Sequence, residues 1–154
     1  MIRKKLYMDK MLENIHIIYT LILTIFSSLL GEHWILFFLY LLLNIADSFT
    51  GWAKAHINKN ESSWVALVGV IKKVCYWFLI MVSFLIPMAM QELGSIINID
   101  FSITVYLGWF VLASLIINEC RSILENLVEA GCNVPNILVK GLKVASEKLE
   151  GDDN

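Results

Sequence analysis

Four apolar stretches without Asp, Glu, Lys or Arg recur along the chain, at residues 14–31, 34–46, 74–91 and 101–118. Each falls slightly short of the roughly 20 residues that cross a hydrocarbon core, so their polar flanks have to enter the interfacial zone. The pattern predicts an all-α integral membrane protein with four transmembrane helices at about 14–30, 34–53, 74–91 and 101–120. Residues 1–13 read as an interfacial lead-in, in which Leu6, Met8, Met11 and Leu12 sit among charges.

The connections sharpen this plan. Gly31, Glu32 and His33 leave room only for a tight antiparallel hairpin between the first two helices, with Gly31 as its C-cap. Residues 58–63 form a polar turn, and Ser62 or Ser63 can cap the next helical segment. The apolar segment 64–71 ends in Lys72 and Lys73, so it is expected to lie along the membrane surface before the third helix enters at about Val74. Pro87 removes a backbone donor near the far end of that helix and permits a kink. The bulky Tyr76, Trp77, Phe78 and Phe84 suggest that this helix faces lipid.

Beyond the fourth stretch, residues 121–149 carry two short amphipathic patterns. Ile123, Leu124, Leu127 and Val128 oppose Arg121, Glu125 and Glu129 until Gly131 ends the helix, and Pro135 opens a second one bearing Ile137, Leu138, Leu142, Ala145 and Leu149. Such helices suit either the membrane surface or a face on a neighbouring subunit or partner. Residues 150–154 are acidic and expected to be disordered.

Charge then gives the orientation. All 12 Lys and Arg residues fall before the first stretch, between the second and third, or after the fourth. The two other connections, 31–33 and 92–100, hold acids alone. Because positive loops stay in the cytoplasm during insertion, both termini and the central loop are expected inside. The basic start and the apolar run after it resemble a signal peptide, but an Ala-x-Ala-like cleavage site is missing and a second apolar run comes at once, so a retained helix is expected.

At 58% hydrophobic and 17% charged, the chain holds more apolar side chains than a soluble domain of 154 residues can hide, so lipid is its solvent. The basic residues are consumed by topology, and none remain as a stripe for nucleic acid. Cys75, Cys120 and Cys132 lack metal spacing and fall at the cytoplasmic side, where thiols stay reduced. No nucleophile or phosphate-loop motif is present, and His16, His33 and His56 are assigned to different places, so neither an enzyme, a metal nor a cofactor is expected.

What remains is a group of ionisable residues at one leaflet: Asp47, Lys54, Lys72, Lys73, Glu119, Arg121 and Glu125. Asp47 lies roughly 10 Å deeper than Lys54 along a helix, where a carboxylate has to be paired or wetted, and Lys72, Lys73 or Arg121 can reach it. Asn44 and Asn118 extend the polar stripes inward. These groups suit either interhelical bonds inside one subunit, or a wettable path or subunit boundary. Ala46, Thr50, Gly51 and Ala55 on the second helix, and Gly108, Ala113 and Ser114 on the fourth, permit close backbone approach.

Taken together, the run from Asp47 to Ala55 (Asp-Ser-Phe-Thr-Gly-Trp-Ala-Lys-Ala), Ser62 with Ser63, Gly69, Lys72 with Lys73, and Asn118 to Leu127 with Gly131 and Pro135 resemble the phage-lysis and toxin-secretion holins, including the clostridial toxin-export type. The likeness spans about residues 44–138. It implies a homo-oligomer in the bacterial cytoplasmic membrane that permeabilises the bilayer and releases an endolysin or a large toxin. Asn44, Asp47, Thr50, Gly51, Lys54, Lys72, Lys73, Glu119, Arg121 and Glu125 are the expected assembly or pore network. An antiholin-like regulator, a membrane adaptor for toxin secretion and a small ion or solute channel are the alternatives.

Overall fold

The computed structural model describes Met8, residues 10–21, Thr24 and residues 31–150. Two compact units divide the chain, Met1–Phe38 and Leu39–Asn154. In the first, residues 10–21 are helical (α1), and the Thr20 hydroxyl donates to the His16 carbonyl one turn back at 2.8 Å. Gly31 adopts a φ of +72°, the left-handed conformation expected of a C-cap glycine. Most of the predicted lead-in 1–13, about half of the predicted helix 14–30, and the acidic end beyond Glu150 lie outside the described residues.

The next helix, α2 (Trp34–Ile57), carries the chain into the second unit. That unit continues with α3 (Ser63–Ile97), a 3-10 turn η1 (Ser102–Val105), α4 (Tyr106–Glu129) and α5 (Asn136–Glu150). All regular elements among the described residues are helical. Three of their spans are long and apolar enough to cross a membrane: Trp34–Ile57, Ser63–Ile97 and Ser102–Glu129.

Alternate spacings of three and four residues build the interior. Tyr40, Asn44, Asp47, Gly51 and Lys54 form the inward seam of α2; Lys73, Trp77, Ile80, Phe84 and Pro87 form that of α3; Gly108, Leu112, Leu115, Glu119, Ser122 and Asn126 form that of α4. Every one of these residues is buried or half-buried. A repeat of this kind keeps one face of each helix turned to its neighbours, as in coiled-coil packing. The Tyr40 and Trp77 rings meet at 5.2 Å across α2 and α3. Phe84 and Trp109 meet edge to face at 5.0 Å across α3 and α4. The latter contact needs Gly108, because a Cβ there would stand 2.8 Å from the Phe84 ring.

Several expected boundaries move. α3 starts at Ser63, with the Ser62 hydroxyl accepting from the Val65 N–H at 3.4 Å, and runs unbroken through Lys72 and Lys73. The expected surface segment 64–71 is therefore the first two turns of the same helix. α3 also continues past Gln91 to Ile97. α4 continues past Cys120 to Glu129, so the first predicted tail helix is its C-terminal extension. Apolar and polar residues of 121–129 stay in phase with the preceding span, and no residue in between breaks the helix. Of the aromatic residues assigned to lipid, Tyr76 and Phe78 are exposed, whereas Trp77 and Phe84 turn inward. α5 packs on α4 of its own chain, with Leu142, Ala145 and Leu149 half-buried.

Left-handed residues close three of the helices. After α2, Lys59 takes a φ of 52°, while its N–H reaches the His56 carbonyl at 3.2 Å and the Asn60 N–H reaches Ala55 at 2.9 Å. After α4, Gly131 takes a φ of 88°, with matching bonds to Val128 at 3.0 Å and from Cys132 to Leu127 at 2.9 Å. Both are Schellman closures. Asn98 does the same for α3 at a φ of 59°. At that end the Ser102 backbone N–H, and then its hydroxyl, hold the exposed Asp100 carboxyl below the usual carboxylate range.

A buried charge cluster as the candidate functional site

The three seams bring their ionisable members to one level. α2 supplies Asp47, α3 supplies Lys73 and α4 supplies Glu119. The Lys73 ammonium lies 3.0 Å from Asp47 Oδ2 and donates to Glu119 Oε2 at 2.6 Å. Their side chains are only 16%, 17% and 7% exposed, respectively, for Asp47, Lys73 and Glu119, so water screens the cluster little. One cation thus joins three helices.

Asn126, two turns beyond Glu119 on the same face of α4, completes the Asp47 shell. Its amide donates to Asp47 Oδ1 at 3.0 Å and lies 3.3 Å from the Thr50 hydroxyl. Both carboxylate oxygens of Asp47 are therefore satisfied, as a buried carboxylate requires. Thr50 and Gly51 face α4 here, and a Cβ on Gly51 would meet the Asn126 amide at 3.5 Å. Within this chain, then, the small-residue face of α2 serves packing against α4.

Closer to the helix ends the contacts become looser. Lys54 pairs with Glu129 at 3.3 Å, and the Asn58 amide donates to the Glu129 carbonyl at 3.2 Å. In the turn, His56 pairs with Glu61 at 2.6 Å. These exposed pairs contribute about 0–1 kcal/mol each.

Of the predicted network, Asp47, Thr50, Lys73 and Glu119 converge. Lys72 is exposed and lies outside it. Arg121 turns away to pair with Glu125 at 3.3 Å along α4, so neither residue joins the buried group. Asn118 is exposed as well. Helix phase is the reason: one residue along a helix is a rotation of about 100°, which carries Lys72 off the seam that holds Lys73. Sequence reasoning missed Asn126, although its spacing of seven from Glu119 marks it as a member of the same stripe.

Asn44 and Tyr40 lie one and two turns before Asp47. The Asn44 amide donates to the Tyr40 carbonyl at 2.8 Å. Its Oδ1 and the Tyr40 hydroxyl are buried without hydrogen-bond partners among the described residues. Asn44, Glu119 and Tyr76 are the polar groups around that hydroxyl. Those described residues include no group of His, Cys, Asp and Glu arranged to hold a metal ion.

Comparison with known proteins accords with this architecture. Residues 24–147 match the bacteriophage holin family. The chain is 32% identical over 128 residues to an uncharacterised protein of Halalkalibacterium halodurans, covering 83% of this chain and 87% of the relative. It is also 32% identical over 119 residues to a probable holin of Bacillus phage phi105, covering 75% and 80%. No solved structure matches.

Proposed function

From the membership of this chain in the bacteriophage holin family, we propose that it oligomerises in the bacterial cytoplasmic membrane and permeabilises it, without any enzymatic step. The observation that carries the reading beyond kinship is the Asp47–Lys73–Glu119 cluster. A charged group shared by three membrane-length helices costs free energy against an apolar seam, so its retention suits a protein that rearranges its helix contacts. When the helices repack into a pore, the same groups become wettable wall. The cargo is an endolysin, as the phage relative suggests, or a large toxin that crosses by the same lesion.

In the proposed topology the predicted first helix spans with α2, α3 and α4, and the termini lie in the cytoplasm. The distribution of Lys and Arg supports it. Lys54, Lys72, Lys73 and Arg121 belong to one end of the second unit, and Glu92 and Asp100 to the other. The test is controlled expression in a bacterium while growth and membrane potential are monitored. Abrupt arrest with loss of potential, and dye release graded by probe size from vesicles, is the expected result. Continued growth at full membrane abundance would instead favour a regulatory, antiholin-like role.

A further inference from the structure

The cluster holds two carboxylates against one ammonium, so it keeps one negative charge in excess. No other cation among the described residues compensates for it. Lys54 is engaged with Glu129, Arg121 with Glu125, and Lys72 is exposed. Asp47 receives a donor on each oxygen, which favours its ionised form. Glu119 is the more buried of the two acids, and only its Oε2 is engaged, by Lys73; nothing among the described residues donates to Oε1.

A second observation, independent of the acids, points to the same spot. Asn44 Oδ1 and the Tyr40 hydroxyl are buried polar atoms without partners among the described residues, in side chains of residues 6% and 0% exposed. Glu119 and Asn44 are among the groups facing that hydroxyl. Orphaned oxygens at such burial are costly unless something joins them. The charge in excess and the missing partners have one remedy.

We infer that Glu119 Oε1, Asn44 Oδ1 and the Tyr40 hydroxyl form a binding site for a single positive charge taken from the aqueous phase, a proton or a monovalent metal ion. A proton would bond to Glu119 Oε1 and be donated toward the neutral oxygens. A metal ion would take all three oxygens as ligands, oxygen being the donor type that hard cations prefer. Either cargo neutralises the cluster. The titratable and charged groups facing the site are Asp47 and Tyr40 from α2, Lys73 and Tyr76 from α3, and Cys120 beside Glu119 on α4.

The test uses the full chain in phosphatidylcholine nanodiscs, so its readout does not depend on pore formation. Infrared difference spectra between the wild type and Glu119→Gln are recorded near neutral pH in choline chloride, then in sodium and in potassium chloride. A protonated carboxyl band that Glu119→Gln removes, insensitive to the salt, identifies the proton. A carboxylate band that shifts on adding sodium or potassium, with retained radioactive sodium or rubidium near one ion per chain, identifies the metal ion. Tyr40→Phe and Asn44→Leu leave the acid in place, and each should weaken binding about tenfold, the effect of one lost hydrogen bond to a charged group. The proposal is overturned if Glu119 is ionised in choline and neither cation changes its band. It is equally overturned if both neutral-residue variants bind as the wild type does.

Discussion

Lys73 on α3 and Glu119 on α4, separated by 46 positions in the chain, meet at 2.6 Å. Asp47 is held by the same ammonium, which makes Lys73 the single cation on which two buried acids depend.

Lys73→Met should therefore be the most damaging replacement in the cluster. It leaves two carboxylates facing each other without a counter-charge, at a cost of about 3 kcal/mol or more. The expected outcome is a lowered unfolding temperature in detergent and reduced membrane abundance. Adding Glu119→Gln to Lys73→Met should recover part of the loss, because the repulsion then disappears. A double variant no more stable than Lys73→Met alone would refute the coupling.

Asp47→Asn acts in the opposite sense. Lys73 keeps Glu119, the excess charge vanishes, and membrane levels should hold. Permeabilisation should be delayed or lost at equal abundance, since the carboxylate that would wet the helix face is gone. Asp47→Glu should retain part of the activity. Quantitative immunoblots of membranes beside lysis timing separate the two effects.

Two glycines make a graded pair. A Cβ on Gly94 would collide with the Ile99 carbonyl, which is backbone, whereas one on Gly108 would press on the Phe84 ring at 2.8 Å. Gly94→Ala should lower stability by about 2–3 kcal/mol and Gly108→Ala by about 1–2, in the range of overpacked interiors. Gly69→Ala is the control: nothing lies within 4 Å, so relief of helix entropy should make it neutral or stabilising. Thermal unfolding in one detergent would rank all three.

Orientation can be read with thiol labels in a background lacking Cys75, Cys120 and Cys132. Ser95 is exposed near the end of α3, and Lys143 is 75% exposed on α5. Ser95→Cys should react with an impermeant reagent from outside intact cells. Lys143→Cys should react only after the cells are opened. Labelling of both from outside before lysis would reject cytoplasmic termini. Ser146 is unsuitable for this purpose because it is buried.

Much of this was legible in the chain itself. Charge-free runs marked the helices that cross, and the shared leaflet of Asp47 and Glu119 anticipated their convergence. Phase was the part that escaped. Lys72 and Lys73 are adjacent and chemically identical, and only the seam through Trp77, Ile80 and Phe84 selects between them. The same seam decides that Trp77 and Phe84 turn inward, which bulk alone could not predict. Helix ends were misread where polarity was taken as a boundary: α3 passes through Lys72 and Lys73, and α4 through Arg121, because exposed or paired cations do not interrupt backbone hydrogen bonding. Asn126 looked like one polar residue among several, and its meaning comes from lying seven positions after Glu119.

The unbroken course of α3 has a mechanical consequence. At 35 residues it measures about 52 Å, against a hydrocarbon layer of roughly 30 Å. Such a rod has to lean within the bilayer or leave several turns standing in the headgroups, and the balance shifts with every ångström of local thickness. Since Lys73 is fixed on that rod and grips acids on two others, any change in lean is applied directly to the ionic knot. The protein is thereby built to register how thick its surroundings are.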